Sequence, residues 1–119
     1  MSIIYGLNKL GCDIYVARVL AGPDGPPLTN MVEQFKVTMD TLPAGSPGEH
    51  ILVFATFLAA AESVELEHRN YFTDALLGHY RRNSFANILL ALEHLERIWS
   101  GSVTRDWTRL LPDLQLFIV

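Results

Sequence analysis

The stretch ILVFATFLAAA, residues 51–61, decides the fold. Wound as a helix at about 100° per residue, its positions sample the whole circumference, so no side of it faces water. Crossing a bilayer takes about 18 or more apolar residues, so the cover has to be protein. In a chain of 119 residues that means a central helix of a small bundle, or a helix whose far side is covered by something outside the chain.

Composition adds a second constraint. The chain is 50% hydrophobic and 18% charged, with a mean hydropathy of +0.21. That is greasy for a small domain, in which surface is large relative to volume. A partner surface is therefore expected, from a homo-oligomer or the remainder of a larger protein. Nine Lys and Arg stand against thirteen Asp and Glu, a net charge of −4. Such a balance argues against holding a phosphate backbone unaided, which requires a positive surface that releases counterions. Arg69, Arg81, Arg82, Arg97, Arg105 and Arg109 fall in the second half, but acids are interleaved with them. The single cysteine, Cys12, forms no internal disulfide and no multi-cysteine zinc site, and is read as a small buried hydrophobe. Intracellular residence is the default expectation, and the first ten residues lack the pattern of a secretion signal.

Proline and glycine clusters divide the rest. Residues 3–20 read as a first helix weakened by Gly6 and Gly11, each costing about 1 kcal/mol relative to Ala. The cluster GPDGPP, residues 22–27, is a turn; it lacks the spacing and the following Lys of a phosphate loop. A second helix spans 28–42, with Met31, Val32, Phe35 and Met39 on one stripe. Ser46 and Pro47 suit the cap and first position of the buried helix. Ser63 then caps a helix over 64–82, whose inner face carries Phe72, Ala75, Leu76, His79 and Tyr80. From Asn83 or Ser84 another helix runs to Trp99, with Ile88, Ala91, Leu92, Leu95 and Trp99 in register and Glu93 and Arg97 paired opposite. Thr104 caps a short helix to residue 111, Pro112 stops it, and the tail LQLFIV is apolar enough to fold back. Alternation at period 2 is nearly absent. The expected fold is all-α: five to six helices in one domain over 1–119, clearest across 28–114, as a bundle or a fragment of a stacked-helix array.

The candidate chemistry is sparse. Glu65 and His68 have the i, i+3 spacing of carboxylate-bridged metal sites, but no second motif accompanies them, so His68 reads as solvated and no metal is expected. His94 falls on a polar face and His50 in a first turn. His79, beside Leu76 and Tyr80, is either a hydrogen-bonded core residue or a proton-transfer or ligand-contacting group. Glu62, at the end of the apolar run, is either a solvated cap near Ser63 or a pocket carboxylate.

Joint order carries more than any single residue. SPGEHILVFATFLAAAES, EHRNYFTDALLGHY, FANILLALEHLERIW and RDWTRLLPDL together resemble the C-terminal end of the fungus-specific regulatory domain of zinc-cluster transcription factors. The resemblance covers roughly 46–114. Phe54 and Ala55 stand where that family has a Trp-Pro step, and the six-cysteine DNA-binding cluster is not in this sequence. The resemblance implies an effector module of a regulator, nuclear or cytoplasmic, without direct nucleic-acid contact, cofactor or membrane. It is expected to associate through Phe54, Phe57, Leu58, Phe72, Tyr80, Trp99, Trp107 and the tail from Leu116 to Val119. The alternative is a small helical enzyme or ligand carrier, or a module with a small-molecule effector. Its apolar interhelical pocket would be lined by Phe54, Phe57, Tyr71, Phe72, His79 and Tyr80, with His79 and Glu62 as polar groups.

Overall fold

The computed structural model describes residues 3–22, 25–43, 45, 51–83, 86–100 and 107. Among these run five helices and no strand: α1 (Ile3–Ala21), α2 (Thr29–Asp40), α3 (Leu52–Glu62), α4 (Leu66–Asn83) and α5 (Ala86–Ser100). The chain is all-α, as the missing period-2 alternation implies.

Helix α3 is the hub, touching α1, α2, α4 and α5. Every residue from Leu52 to Glu62 is buried except Phe54, which is 40% exposed beside an exposed Ile51. The surrounding helices each turn one stripe inward. That of α1 is Leu7, Gly11, Ile14 and Arg18, at i, i+4, i+7 and i+11. Val32 and Phe35 of α2, Phe72 and Leu76 of α4, and Ile88, Ala91 and Leu95 of α5 complete the core. Phe35 and Phe72 meet edge to face at 5.9 Å, joining α2 to α4.

Gly11 is what lets α1 lie so close to α3. A Cβ there would stand 2.9 Å from Ala55 Cβ and 3.0 Å from its Cα, so the crossing depends on the missing side chain. Gly22 ends α1 in the left-handed region at φ 77°, with its N–H donating to Arg18 O at 3.0 Å.

Several sequence readings are corrected. Ser63 does not cap α4: its hydroxyl donates back to Ala59 O at 2.9 Å, closing α3, while α4 starts at Leu66. Cys12 is exposed, because it lies off the buried Leu7, Gly11, Ile14 and Arg18 stripe of α1. His68 is buried, with Nε2 2.7 Å from Glu33 Oε1; a carboxylate accepts, so the ring carries a proton on that nitrogen. Ser46, Pro47, the helix expected after Thr104 and the tail from Leu116 to Val119 lie outside the described residues, apart from Trp107.

Candidate functional site

Two places gather polar groups. The first is where α1 and α3 end together. Arg18 closes the buried stripe of α1 and Glu62 closes the buried run of α3, so two charges that begin at helix ends are enclosed by packing. Arg18 Nε donates to Glu62 Oε1 at 2.9 Å, and Nη2 to Oε2 at 2.6 Å, the bidentate geometry that suits a guanidinium and a carboxylate. The remaining guanidinium donors reach the turn after α1: Nη1 to Gly22 O and Gly25 O, Nη2 to Pro26 O. Glu62 also accepts from Leu28 N at 3.0 Å and from Trp107 Nε1 at 3.0 Å. Every Arg18 N–H is used, and each carboxylate oxygen accepts two bonds, which is the condition under which a buried pair is tolerated. One knot thus fastens α1, the turn, the entrance to α2, the end of α3 and Trp107, whose ring lies 6.3 Å from that of Tyr15. Glu62 is neither a solvated cap nor a carboxylate open to a pocket.

Two carbonyls at the end of α3 are met by side chains of α4 and α5. Trp99 Nε1 donates to Ala60 O at 2.9 Å, and Arg69 Nε to Ser63 O at 2.9 Å, with the Arg69 guanidinium 5.5 Å from the Trp99 ring centre. Desolvation lowers the Arg69 pKa from its ordinary value.

The second place is open. A cleft of about 320 Å³ lies between the end of α2 and α4, lined by Met39, Asp40, Leu42 and Pro43 on one side. On the other side stand Tyr71, Asp74, Ala75, Gly78, His79 and Arg82. The Tyr71 hydroxyl donates to Asp40 Oδ1 at 2.7 Å, and burial, then Asp40, pushes the phenol well above its usual range, so it stays a donor. His79 is buried in the wall. Glu62 does not line this cleft, so the structure does not bring His79 and Glu62 together there.

The expected contact residues divide in the same way. Phe57, Leu58, Phe72 and Trp107 are enclosed by the chain itself, Tyr80 and Trp99 are half-buried against the core, and Phe54 reaches the surface. Arg18, Asp40, Asp74 and Arg82 escaped the sequence reading. Arg18 had a usable signal, since it sits eleven residues after Leu7 on the apolar stripe. Asp74, Gly78 and Arg82 recur at four-residue spacing on one face of α4. Among the described residues, no three His, Cys, Asp or Glu side chains are grouped to hold a metal, and no helix is long and apolar enough to cross a membrane.

A family model described as "Fungal specific transcription factor domain" matches residues 6–118, extending the resemblance seen over 46–114 to nearly the whole chain. No curated protein and no solved structure matches it significantly.

Proposed function

The chain belongs to the fungal-specific transcription factor domain family, and on that premise we propose that it is a non-enzymatic effector module of a transcription regulator. A transcription-regulatory role follows from the membership. In this reading the module works in the nucleus by helix-mediated association, with another copy or with a larger regulator, and leaves DNA contact to other parts of the machinery.

The observation that carries association is the outer side of α1. Its outer face is largely apolar, broken by the exposed Lys9–Asp13 ion pair at 3.0 Å. One face lies on α3, while on the other Tyr5, Val16, Val19 and Leu20 are 59%, 50%, 50% and 82% exposed. Phe54 adds a further exposed ring. The net charge of −4 supports the absence of direct DNA contact, because the counterion-release term favours basic surfaces.

Sedimentation of the chain and of its Val16→Glu/Leu20→Glu variant tests this. The chain is expected to associate at tens of micromolar or below, and the variant to sediment as a monomer with unchanged helicity. Fused to a foreign DNA-binding domain, the variant should also change reporter output. A monomeric parent chain together with an unaltered reporter would refute the reading, as would saturable binding of duplex DNA at physiological salt.

A further inference from the structure

Positions 71, 74, 75, 78, 79 and 82 recur at three and four residues, so they form one wall of the cleft along α4. Charge along that wall is uneven. Asp40 and Asp74 both flank Tyr71: the first holds the phenol at 2.7 Å, and the second lies one helical turn further on. Tyr71 fixes the orientation of Asp40 but engages only one of its oxygens. Asp74 is exposed and has no hydrogen bond or ion pair among the described residues. Beyond them Met39, Leu42 and Ala75 give an apolar lining, and Gly78 leaves space that a side chain would fill. At the far end the Arg82 guanidinium folds over Gly78, with Nη1 3.2 Å from where a Cβ would stand.

We propose that this cleft binds a small ammonium compound with a compact apolar body. The ammonium sits between Asp40 and Asp74, and the body lies on Met39, Leu42 and Ala75. An ammonium offers three donors and no acceptor, which matches two carboxylates that only accept. Two carboxylates stand against one guanidinium in the lining, and the nearby Lys36, whose Nζ lies 5.4 Å from the Tyr71 ring centre within the field of Asp40, is itself paired with Glu67 at 3.2 Å, so the cleft stays net negative, and the chain's charge of −4 adds a field of the same sign. The volume of about 320 Å³ is at the small end for ligand sites, so the body is a few carbons rather than a fused ring system. This inference does not depend on the role in transcription, because the test is binding to the chain itself.

Three probes share one isobutyl body: isopentylammonium, leucine and isovalerate, offering a cation, a zwitterion and an anion. Each is titrated at fixed ionic strength while amide resonances are followed by NMR. Isopentylammonium is expected to bind saturably at millimolar concentration or below, shifting the amides of Asp40, Asp74, Ala75 and Gly78. Isovalerate should not. Asp74→Asn changes only an exposed group and should weaken the cation roughly tenfold, the share of one charge-assisted contact. Gly78→Leu fills the cleft with a side chain whose Cβ meets the flexible end of Arg82, and should abolish binding with helicity retained. Absence of saturable isopentylammonium binding overturns the proposal. So does binding insensitive to both substitutions, binding of isovalerate as tight as that of the cation, or binding of leucine alone.

Discussion

Replacing Glu62 by Ala tests the knot at the end of α3. The substitution removes a carboxylate that accepts from Arg18 Nε, Arg18 Nη2, Leu28 N and Trp107 Nε1. Arg18 is then left as a fully buried guanidinium with two of its donors stranded, while its three carbonyl partners only partly compensate its charge. Breaking a buried pair from one side costs about 3–5 kcal/mol, because the surviving charge cannot return to water without opening the fold. An entropy of unfolding of roughly 2 cal/mol/K per residue turns that loss into a fall of about 12–20 °C in melting temperature for a chain of this size. Urea unfolding followed by circular dichroism and tryptophan fluorescence gives the free energy directly. The Arg18→Met/Glu62→Leu variant separates charge from packing. It removes both charges, so it should recover part of the loss, though not all, since Leu28 N, Trp107 Nε1 and the turn carbonyls lose the bonds they make to these two side chains. A Glu62→Ala loss under about 1 kcal/mol would mean that water reaches Arg18, and the account of the knot would fail.

Two further outcomes follow from local geometry. Gly6→Ala and Gly11→Ala add the same methyl to α1, but a Cβ at position 6 meets nothing within 4 Å, whereas at position 11 it stands 2.9 Å from Ala55 Cβ. The first should stabilise by about 0.5–1 kcal/mol through helix propensity and the second should destabilise by about 1–2 kcal/mol net of that gain, and matching shifts in urea midpoints would contradict the close crossing. Tyr71 supplies a pH test. Its folded pKa is raised, so below the unfolded value of about 10 both states keep the proton and the contribution to stability is complete. Above that the unfolded chain releases its proton first, and stability falls by at most about 1.4 kcal/mol per pH unit from this group. Tyr71→Phe should lower stability at neutral pH by about 1 kcal/mol yet decline less steeply above pH 10; equal slopes in urea titrations would count against a shielded phenol.

What the sequence made legible, and what it hid, divides along one physical line. Periodicity reports which side of a helix is covered, and it placed the enclosure of the 51–61 run, apart from the exposed Ile51 and Phe54, the stripes of α2, α4 and α5, and the all-α class. It does not report what a polar side chain meets across the fold. His68, read as solvated, is buried because Glu33 comes from α2, thirty-five positions earlier. Both readings of Glu62 are overturned by Arg18, at a separation of forty-four. Both burials depend on a distant partner, and without that partner desolvation would expel the same side chains into water.

The same reasoning links the closed knot to the open cleft. A carboxylate whose lone pairs are all taken can hold helices together but cannot take a ligand, and this is the position of Glu62. A carboxylate that keeps an oxygen uncommitted beside a cavity, as Asp40 does, retains the capacity to recognise something. The polar group that sequence position made most conspicuous, at the end of the longest apolar run, is thus committed to architecture. The groups left available for recognition are Asp40 and Asp74, whose exposed, ordinary surroundings gave the sequence reading no reason to single them out. In this fold chemical availability is found by counting satisfied lone pairs, and apolar periodicity alone points to the wrong carboxylate.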